Sequence, residues 1–296
     1  MEEYSEIVAI WRGELGRALR SGWALALVVL FLFGEGLLLT VVGFITTSGG
    51  QMSGGGADPI AQKKSLLMLF TNNSEATIDA IAKLPLVLLV AFSATAFFVP
   101  LLIALMGFDQ LAGEVGPKSM RYLIVRVRRT AIVLGKYLTQ ATVLSGILVL
   151  SVLAMVGKAK SVDADFPWAE ALRWGTKLSI AMLVIGVTYA ALTTLCSAVS
   201  SSGALALFVN LILLFVFWFI SVIGNRVLLP GATAVGLDSL KEASPLGYIR
   251  YLNPGEFEHH LLSPDPLEYA TGLIAYVGFG LMFLGLAKMA LARRDL

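Results

Sequence analysis

Two adjacent histidines lie among acids in the stretch Gly255–Leu262 (GEFEHHLL). His259 and His260 are the only histidines in the sequence, and Glu256 and Glu258 precede them. Histidine nitrogens and carboxylate oxygens bind metal ions, but adjacent residues on a helix point about 100° apart and share one site poorly. We therefore favour a solvated loop over a metal site, and we expect no metal ion on this chain.

Two Gly-Lys pairs raise the question of whether the chain binds a nucleotide. A phosphate-binding loop needs a glycine five residues before its second glycine, and Ser or Thr after the lysine. Both Gly135-Lys136 and Gly157-Lys158 have other residue types at those positions. The sequence therefore predicts no ATP site of this kind, and we do not expect the chain to be an enzyme.

A carboxylate and an amide lie inside long apolar runs. Glu35 is flanked by Gly34 and Gly36, and a carboxylate at membrane depth usually faces a bundle interior or a water-filled path. The alternative is a protonated Glu35 that is hydrogen-bonded to a neighbouring helix, and the sequence does not separate these two interpretations. Asn210 is more typical of a helix–helix contact than of a ligand. Both residues are candidates for intramembrane polar sites on or beside a translocation path.

The stretch Glu114–Lys136 carries six of the 22 basic residues. These are Lys118, Arg121, Arg126, Arg128, Arg129 and Lys136. Glu114 comes first, a break at Gly116-Pro117 follows, and the Arg128-Arg129 pair forms a basic turn after an amphipathic run. A nucleic-acid patch, a membrane anchor and a docking surface each explain such a cluster. Nucleic acid explains it poorly, because the stretch is a short loop between two apolar segments.

Composition places the chain among membrane proteins. Hydrophobic residues make up 57% of it and the mean hydropathy is +0.81, which is too apolar for a soluble domain. Because Cys196 is the only cysteine, no disulfide forms within the chain. Six segments approach the 20 or so apolar residues that a membrane helix needs. We predict spans at residues 23–47, 84–107, 131–156, 176–199, 204–224 and 269–290, which form a single domain over residues 1–296.

An even number of spans puts both termini on one side of the membrane. Lysine and arginine are denser in the segments on that side (1–22, 108–130, 200–203 and 291–296) than in the three opposite loops. The positive-inside rule therefore favours cytoplasmic termini.

The segment Ile7–Arg20 has apolar residues at helical spacing, with Trp11 among them. Arg12 and Arg17 lie mostly off that stripe, as in helices that lie among anionic headgroups. We predict an interfacial helix that contacts membrane lipids. The alternative is a hydrophilic segment that only orients the first span.

Several short motifs together resemble the permease subunit of ABC-2 type ABC transporters. The loop after the second span is similar to that family's pattern of an acid, a glycine, a leucine-rich run, a basic turn and Leu-Gly-Lys. Here these are Glu114, Gly116, Tyr122-Leu123-Ile124, Arg128-Arg129 and Leu134-Gly135-Lys136. Glu14-Leu15 resembles the family's Glu-Leu on its elbow helix. The stretches Leu246–Gly255 and Arg293–Leu296 also resemble those of many members.

The resemblance implies an all-α membrane protein of six transmembrane helices with an N-terminal interfacial helix and a cytoplasmic coupling helix. Such a permease lies in the cytoplasmic (inner) membrane and pairs with a second permease subunit, as a homo- or heterodimer. Two copies of a separate ATPase would bind ATP and Mg²⁺, and this chain would carry no cofactor.

The same resemblance gives the basic loop a role in export. A coupling helix would dock into the ATPase through Glu114, Gly116, Arg121, Arg128 and Arg129, and Glu14 would belong to the interfacial helix. A membrane anchor alone is the alternative for the loop. For the whole chain the alternative is a non-ATP membrane protein, either a secondary transporter or a structural subunit of a membrane assembly.

Overall fold

The computed structural model describes residues 2–52, 81–82, 84–115, 127–222 and 250–294. The predicted residues Gly116 and Arg121, and with them the amphipathic run of the coupling loop, lie outside these ranges. Within them every element of regular secondary structure is a helix, and there is no strand.

Eight α-helices follow one another along the described chain. They are α1 (Glu2–Arg20), α2 (Gly22–Met52), α3 (Leu86–Gly107), α4 (Ala112–Val115), α5 (Arg129–Val162), α6 (Trp168–Val199), α7 (Gly203–Val222) and α8 (Pro266–Ala292). Three short 3-10 helices precede α8, at Arg250–Leu252, Pro254–Phe257 and His259–Leu262. The segments containing α2, α3, α5, α6, α7 and α8 are long and apolar enough to cross a membrane. This confirms the predicted all-α membrane fold.

Helices α2, α5, α6 and α8 are longer than the spans predicted from hydropathy, and the largest extensions are in α5 and α6. The third predicted span ends at residue 156, whereas α5 continues to Val162. The fourth begins at residue 176 in the prediction, whereas α6 begins at Trp168, directly after Pro167. Hydropathy detects only the part of a helix that crosses hydrocarbon. The additional turns carry charges such as Lys160 and Glu170, which a hydropathy window excludes.

Helix α6 lies at the centre of the bundle, in contact with α3, α5, α7 and α8. It approaches α5 closely at Gly186, where an added Cβ would lie 2.8 Å from the Leu144 and Leu148 side chains. On another side the Thr188 hydroxyl donates a hydrogen bond to the Tyr276 carbonyl in α8, at 2.8 Å. Small and hydroxyl side chains are the usual means of holding membrane helices together. The positions of the other spans are therefore set relative to α6.

Candidate functional site

Lys136 is a buried cation near the start of α5. Its side chain is 4% exposed, and its Nζ donates hydrogen bonds to Glu114 Oε1 at 2.8 Å and to Glu14 Oε1 at 3.0 Å. A buried ammonium is tolerated only when it is paired and hydrogen-bonded. Both acids meet that need, and they come from different helices, α1 and α4. Lys136 therefore ties α1, α4 and α5 together.

Arg17 completes this group, which we call the Lys136 cluster (Glu14, Arg17, Glu114 and Lys136). Its Nη1 lies 3.2 Å from Glu14 Oε1 and 3.8 Å from Glu114 Oε1. Because the Arg17 side chain is 73% exposed, its ion pairs add little stability. The cluster contains two acids and two bases, so its charges balance, and Lys136 is its buried centre.

Helix α1 packs directly along the beginning of α5. An added Cβ on Gly135 would lie 2.7 Å from Ile10 Cγ2, so only glycine permits this approach. Trp11 Nε1 donates to Thr142 Oγ1 at 3.1 Å, and Thr139 Oγ1 donates to the Trp11 carbonyl at 3.3 Å. Arg12 is exposed on the other side of α1. The helix predicted to be interfacial is thus attached to the third span by packing, hydrogen bonds and ion pairs.

The basic turn has partners within the chain. Arg128 lies 3.5 Å from Glu3 Oε2 through Nη1, and its backbone N–H donates to Glu6 Oε2 at 3.2 Å. Arg129 Nη1 donates to the carbonyls of Leu291 and Ala292 at 2.9 and 2.7 Å. A guanidinium at a helix C-terminus satisfies carbonyls that have no intrahelical donor and opposes the helix dipole. Arg129 therefore caps α8.

Further contacts join the helix ends on this side of the bundle. Arg294 Nη2 donates to the Val199 carbonyl at the end of α6, at 2.8 Å. Ser197 Oγ accepts hydrogen bonds from the backbone N–H groups of Leu111 and Ala112, both at 3.0 Å, and donates to the Phe108 carbonyl at 2.9 Å. The ends of α3, α6 and α8 and the start of α5 are therefore linked at the end of the bundle that holds the Lys136 cluster.

Glu35 lies inside the bundle, in α2, and is 8% exposed. Ser151 Oγ in α5 donates a short hydrogen bond to its Oε1. Its Oε2 is buried and has no hydrogen-bond partner. Glu35 also lines a cavity of about 340 Å³ between α2 and α3. One oxygen therefore contacts a neighbouring helix and the other has no polar partner.

Asn210 lies between two helices. It is 1% exposed in α7, and its Nδ2 donates to Thr193 Oγ1 in α6 at 2.7 Å. Amide-to-hydroxyl hydrogen bonds of this kind hold membrane helices together. The structure therefore places Asn210 at the α6–α7 contact, away from Glu35 and its cavity.

Comparison with known families decides the class of the protein. A family model described as ABC-2 family transporter protein matches residues 8–296, nearly the entire chain. The chain belongs to the ABC-2 transporter family. This confirms the resemblance seen in its motifs and makes the chain the permease subunit of an ABC transporter. No curated protein matches it.

At the opposite end of the permease, the residues around the two histidines form structure that the sequence did not predict. Pro254–Phe257 and His259–Leu262 are 3-10 helices, Leu261 and Leu262 are buried, and His259 and His260 are only partly exposed. The expectation of a solvated loop is therefore wrong. The reason is that Leu261 and Leu262 pack into the core and hold the turn against the bundle. The described residues contain no group of three metal-binding side chains.

Glu258, in the same turn, faces a second cavity of the permease. The cavity measures about 410 Å³ and is lined by α3, α6, α7 and the 3-10 turns, with Phe98, Trp218 and Asn253 among the residues that surround it. Burial raises the pKa of Glu258 to about 7. This carboxyl group therefore titrates near neutral pH.

Sequence reasoning missed Lys136 as a member of the site. The motif Leu134-Gly135-Lys136 contributes to the family resemblance, but the resemblance gives its lysine no role. One signal was present: a lysine follows the apolar run at the start of a predicted span, where an unpaired cation is costly. Its partners could not be inferred, because Glu14 and Glu114 lie 122 and 22 residues away in sequence.

Proposed function

We propose that this permease is the membrane subunit of an ATP-driven exporter. In this proposal a separate ATPase, present in two copies, binds ATP and Mg²⁺, and a second permease subunit completes a homo- or heterodimer. The Lys136 cluster is the observation that supports the proposal most, because it joins the segment leading into the basic loop to two other helices. Such an arrangement would transmit a movement of the loop, caused by the ATPase, to α1 and α5.

The route of coupling follows from the contacts of Glu114. The loop after α4, with Gly116 and Arg121, is proposed to dock on the ATPase. Because Glu114 Oε1 is bound by Lys136, a displacement of α4 pulls on α5 through a short, partly buried ion pair. Arg129 extends the same movement to the end of α8. ATP binding and hydrolysis would then shift the bundle between two arrangements with different access.

The membrane orientation is the second part of the proposal. The end of the bundle that holds the Lys136 cluster is proposed to face the cytoplasm, and α1 is proposed to lie at the cytoplasmic surface among anionic lipids. In a Cys196→Ser background, a single cysteine at Ser239 should react with an impermeant thiol reagent in intact cells. A cysteine at Ser119 should react only after permeabilisation, and reaction in intact cells would reverse the orientation.

The test of ATP-driven function begins with purification of the permease from its native membranes. We expect it to copurify with an ATPase chain and to catalyse no ATP hydrolysis once that chain is removed. Glu114→Gln should keep membrane insertion and weaken either ATPase binding or the link between hydrolysis and transport. Glu170→Gln, the same change near the opposite end of the bundle, is the matched control. Transport by the permease alone, driven by an ion gradient, would instead identify a secondary transporter.

Glu35 is proposed to line the path of the cargo. Its support is its position in a cavity wall together with its unpaired oxygen. Asn210 is proposed to hold α7 to α6. Replacing Glu35 by Gln should leave the permease folded but change its transport, whereas unchanged transport would assign the carboxyl group to helix packing alone.

A further inference from the structure

The cavity beside Glu35 is almost entirely apolar. Six residues of α2 and six of α3 line its volume of about 340 Å³, and only Glu35 and Thr95 among them have polar side chains. Pockets for small ligands measure roughly 300–1,000 Å³ and typically combine apolar walls with a few polar groups. Size and lining therefore suit a small amphiphile.

The cavity opens sideways, towards the bilayer. Leu30 and Phe98, on its two walls, are 66% and 49% exposed at the surface of the bundle. Both helices belong to candidate membrane spans, so this surface meets lipid tails. A ligand would therefore enter from the membrane, and it must be soluble there.

Glu35, which lines the cavity, has one carboxylate oxygen, Oε2, without a hydrogen-bond partner. Oε2 is buried without a hydrogen bond, while Oε1 accepts from Ser151. None of the ion pairs among the described residues includes Glu35. An ionised carboxylate inside a bilayer is costly unless a cation or several donors accompany it. No described residue that lines the cavity carries a positive charge, and a ligand can supply one.

We propose that this cavity is a laterally open binding site for a lipophilic amine. The ammonium group pairs with Glu35 Oε2, and the hydrocarbon tail lies along Phe31, Leu38 and Leu105. A fatty acid would bring a second negative charge to Glu35, and a neutral hydrocarbon would leave Oε2 unpaired. That the amine is the cargo of the exporter rests on the proposed function. Binding of the amine requires only this chain.

The experiment measures binding of radiolabelled dodecylamine to the purified permease in phosphatidylcholine nanodiscs, with empty nanodiscs subtracted. Dodecanol and dodecanoate have the same tail and serve as neutral and anionic competitors. We expect saturable binding of the amine, weak competition by the alcohol and none by the acid. Equal competition by dodecanol, or stronger competition by dodecanoate, would refute the assignment of a cation site.

Three variants locate the binding. Glu35→Gln keeps the shape of the side chain and should weaken amine binding by about tenfold or more, as expected for the loss of a charge-assisted hydrogen bond. Gly34→Leu should abolish binding, because Gly34 lines the cavity and a leucine side chain there would fill it. An added Cβ at Gly34 meets no atom within 4 Å, so the substitution should not disturb the fold. Gly36→Leu also has free space but does not line the cavity, so it should bind normally. Equal binding by Glu35→Gln and the unmodified permease would overturn the proposal.

The remaining occupant to test is a second copy of this chain. If the permease binds no amine and Gly34→Leu abolishes its dimers, the cavity belongs to a subunit contact and the proposal is wrong. The exporter function has a separate readout, the copurifying ATPase. Amine binding without any ATPase partner would refute the exporter, and an ATPase partner without amine binding would refute only the site.

Discussion

Replacing Lys136 by methionine tests whether the Lys136 cluster holds the end of the bundle together. Methionine keeps the length and apolar character of the side chain but removes the charge and both hydrogen bonds, at 2.8 and 3.0 Å. Glu14 and Glu114 then face each other without the cation between them. Breaking a buried ion pair costs about 3–5 kcal/mol. Because the two acids are 20% and 25% exposed, water screens part of this loss and we expect about 2–3 kcal/mol.

The assay is unfolding by SDS in mixed micelles, followed by far-ultraviolet circular dichroism. Lys288→Met is the matched control, because Lys288 is an exposed lysine near the C-terminal end of α8. This substitution should change the free energy of unfolding by less than about 0.5 kcal/mol. The double variant Lys136→Met with Glu114→Gln should be less destabilised than the two single variants together, because they remove the same contact. A loss below about 1 kcal/mol for Lys136→Met would show that the cluster behaves like an exposed ion pair and refute the reasoning.

Three further predictions concern other parts of the permease. Gly135→Val should force α1 away from α5, at a cost of about 1–3 kcal/mol, and expose α1 to protease, whereas Gly146→Val, with free space at its Cβ, should do neither. Arg129→Gln should loosen the end of α8 and speed hydrogen exchange of its last amides, and normal exchange there would contradict its capping role. The raised pKa of Glu258, about 7 against an ordinary 4.5, means that the folded state binds the proton more tightly. Stability should therefore fall as pH rises from about 4.5 to about 7, and a melting temperature that follows pH equally in Glu258→Gln would contradict this.

The six spans were predictable because the cost of burying polar groups in hydrocarbon acts on each segment separately. A run of about 20 apolar residues can be recognised as a span from its own composition, without knowledge of its partners. The true helix ends were less predictable, since α5 and α6 continue beyond the apolar run with charged turns such as those of Lys160 and Arg173. Those turns are helical because they continue the backbone hydrogen bonding of the adjacent helix and contact neighbouring segments. Neither cause changes the hydropathy of the sequence.

The site was predictable only in part, and the reason is sequence distance. An amphipathic pattern and a family resemblance indicate Glu14, Arg17 and Glu114 separately. Their meeting at Lys136 depends on how α1 and α4 pack on α5, which no spacing in the sequence encodes. The same holds for Glu35, whose hydrogen-bond donor, Ser151, lies 116 residues away.

The separation between α1 and its partner also has a consequence for how the permease is made. The ion pair of Glu14 with Lys136 cannot form until the ribosome has added Lys136, 122 residues after Glu14. At about 5–20 residues per second, the delay is roughly 6–24 s. During that interval α2 and α3 are synthesised, while α1 has no α5 against which to pack. The apolar side of α1, with Trp11, must then be covered by lipid or by a chaperone until the third span arrives.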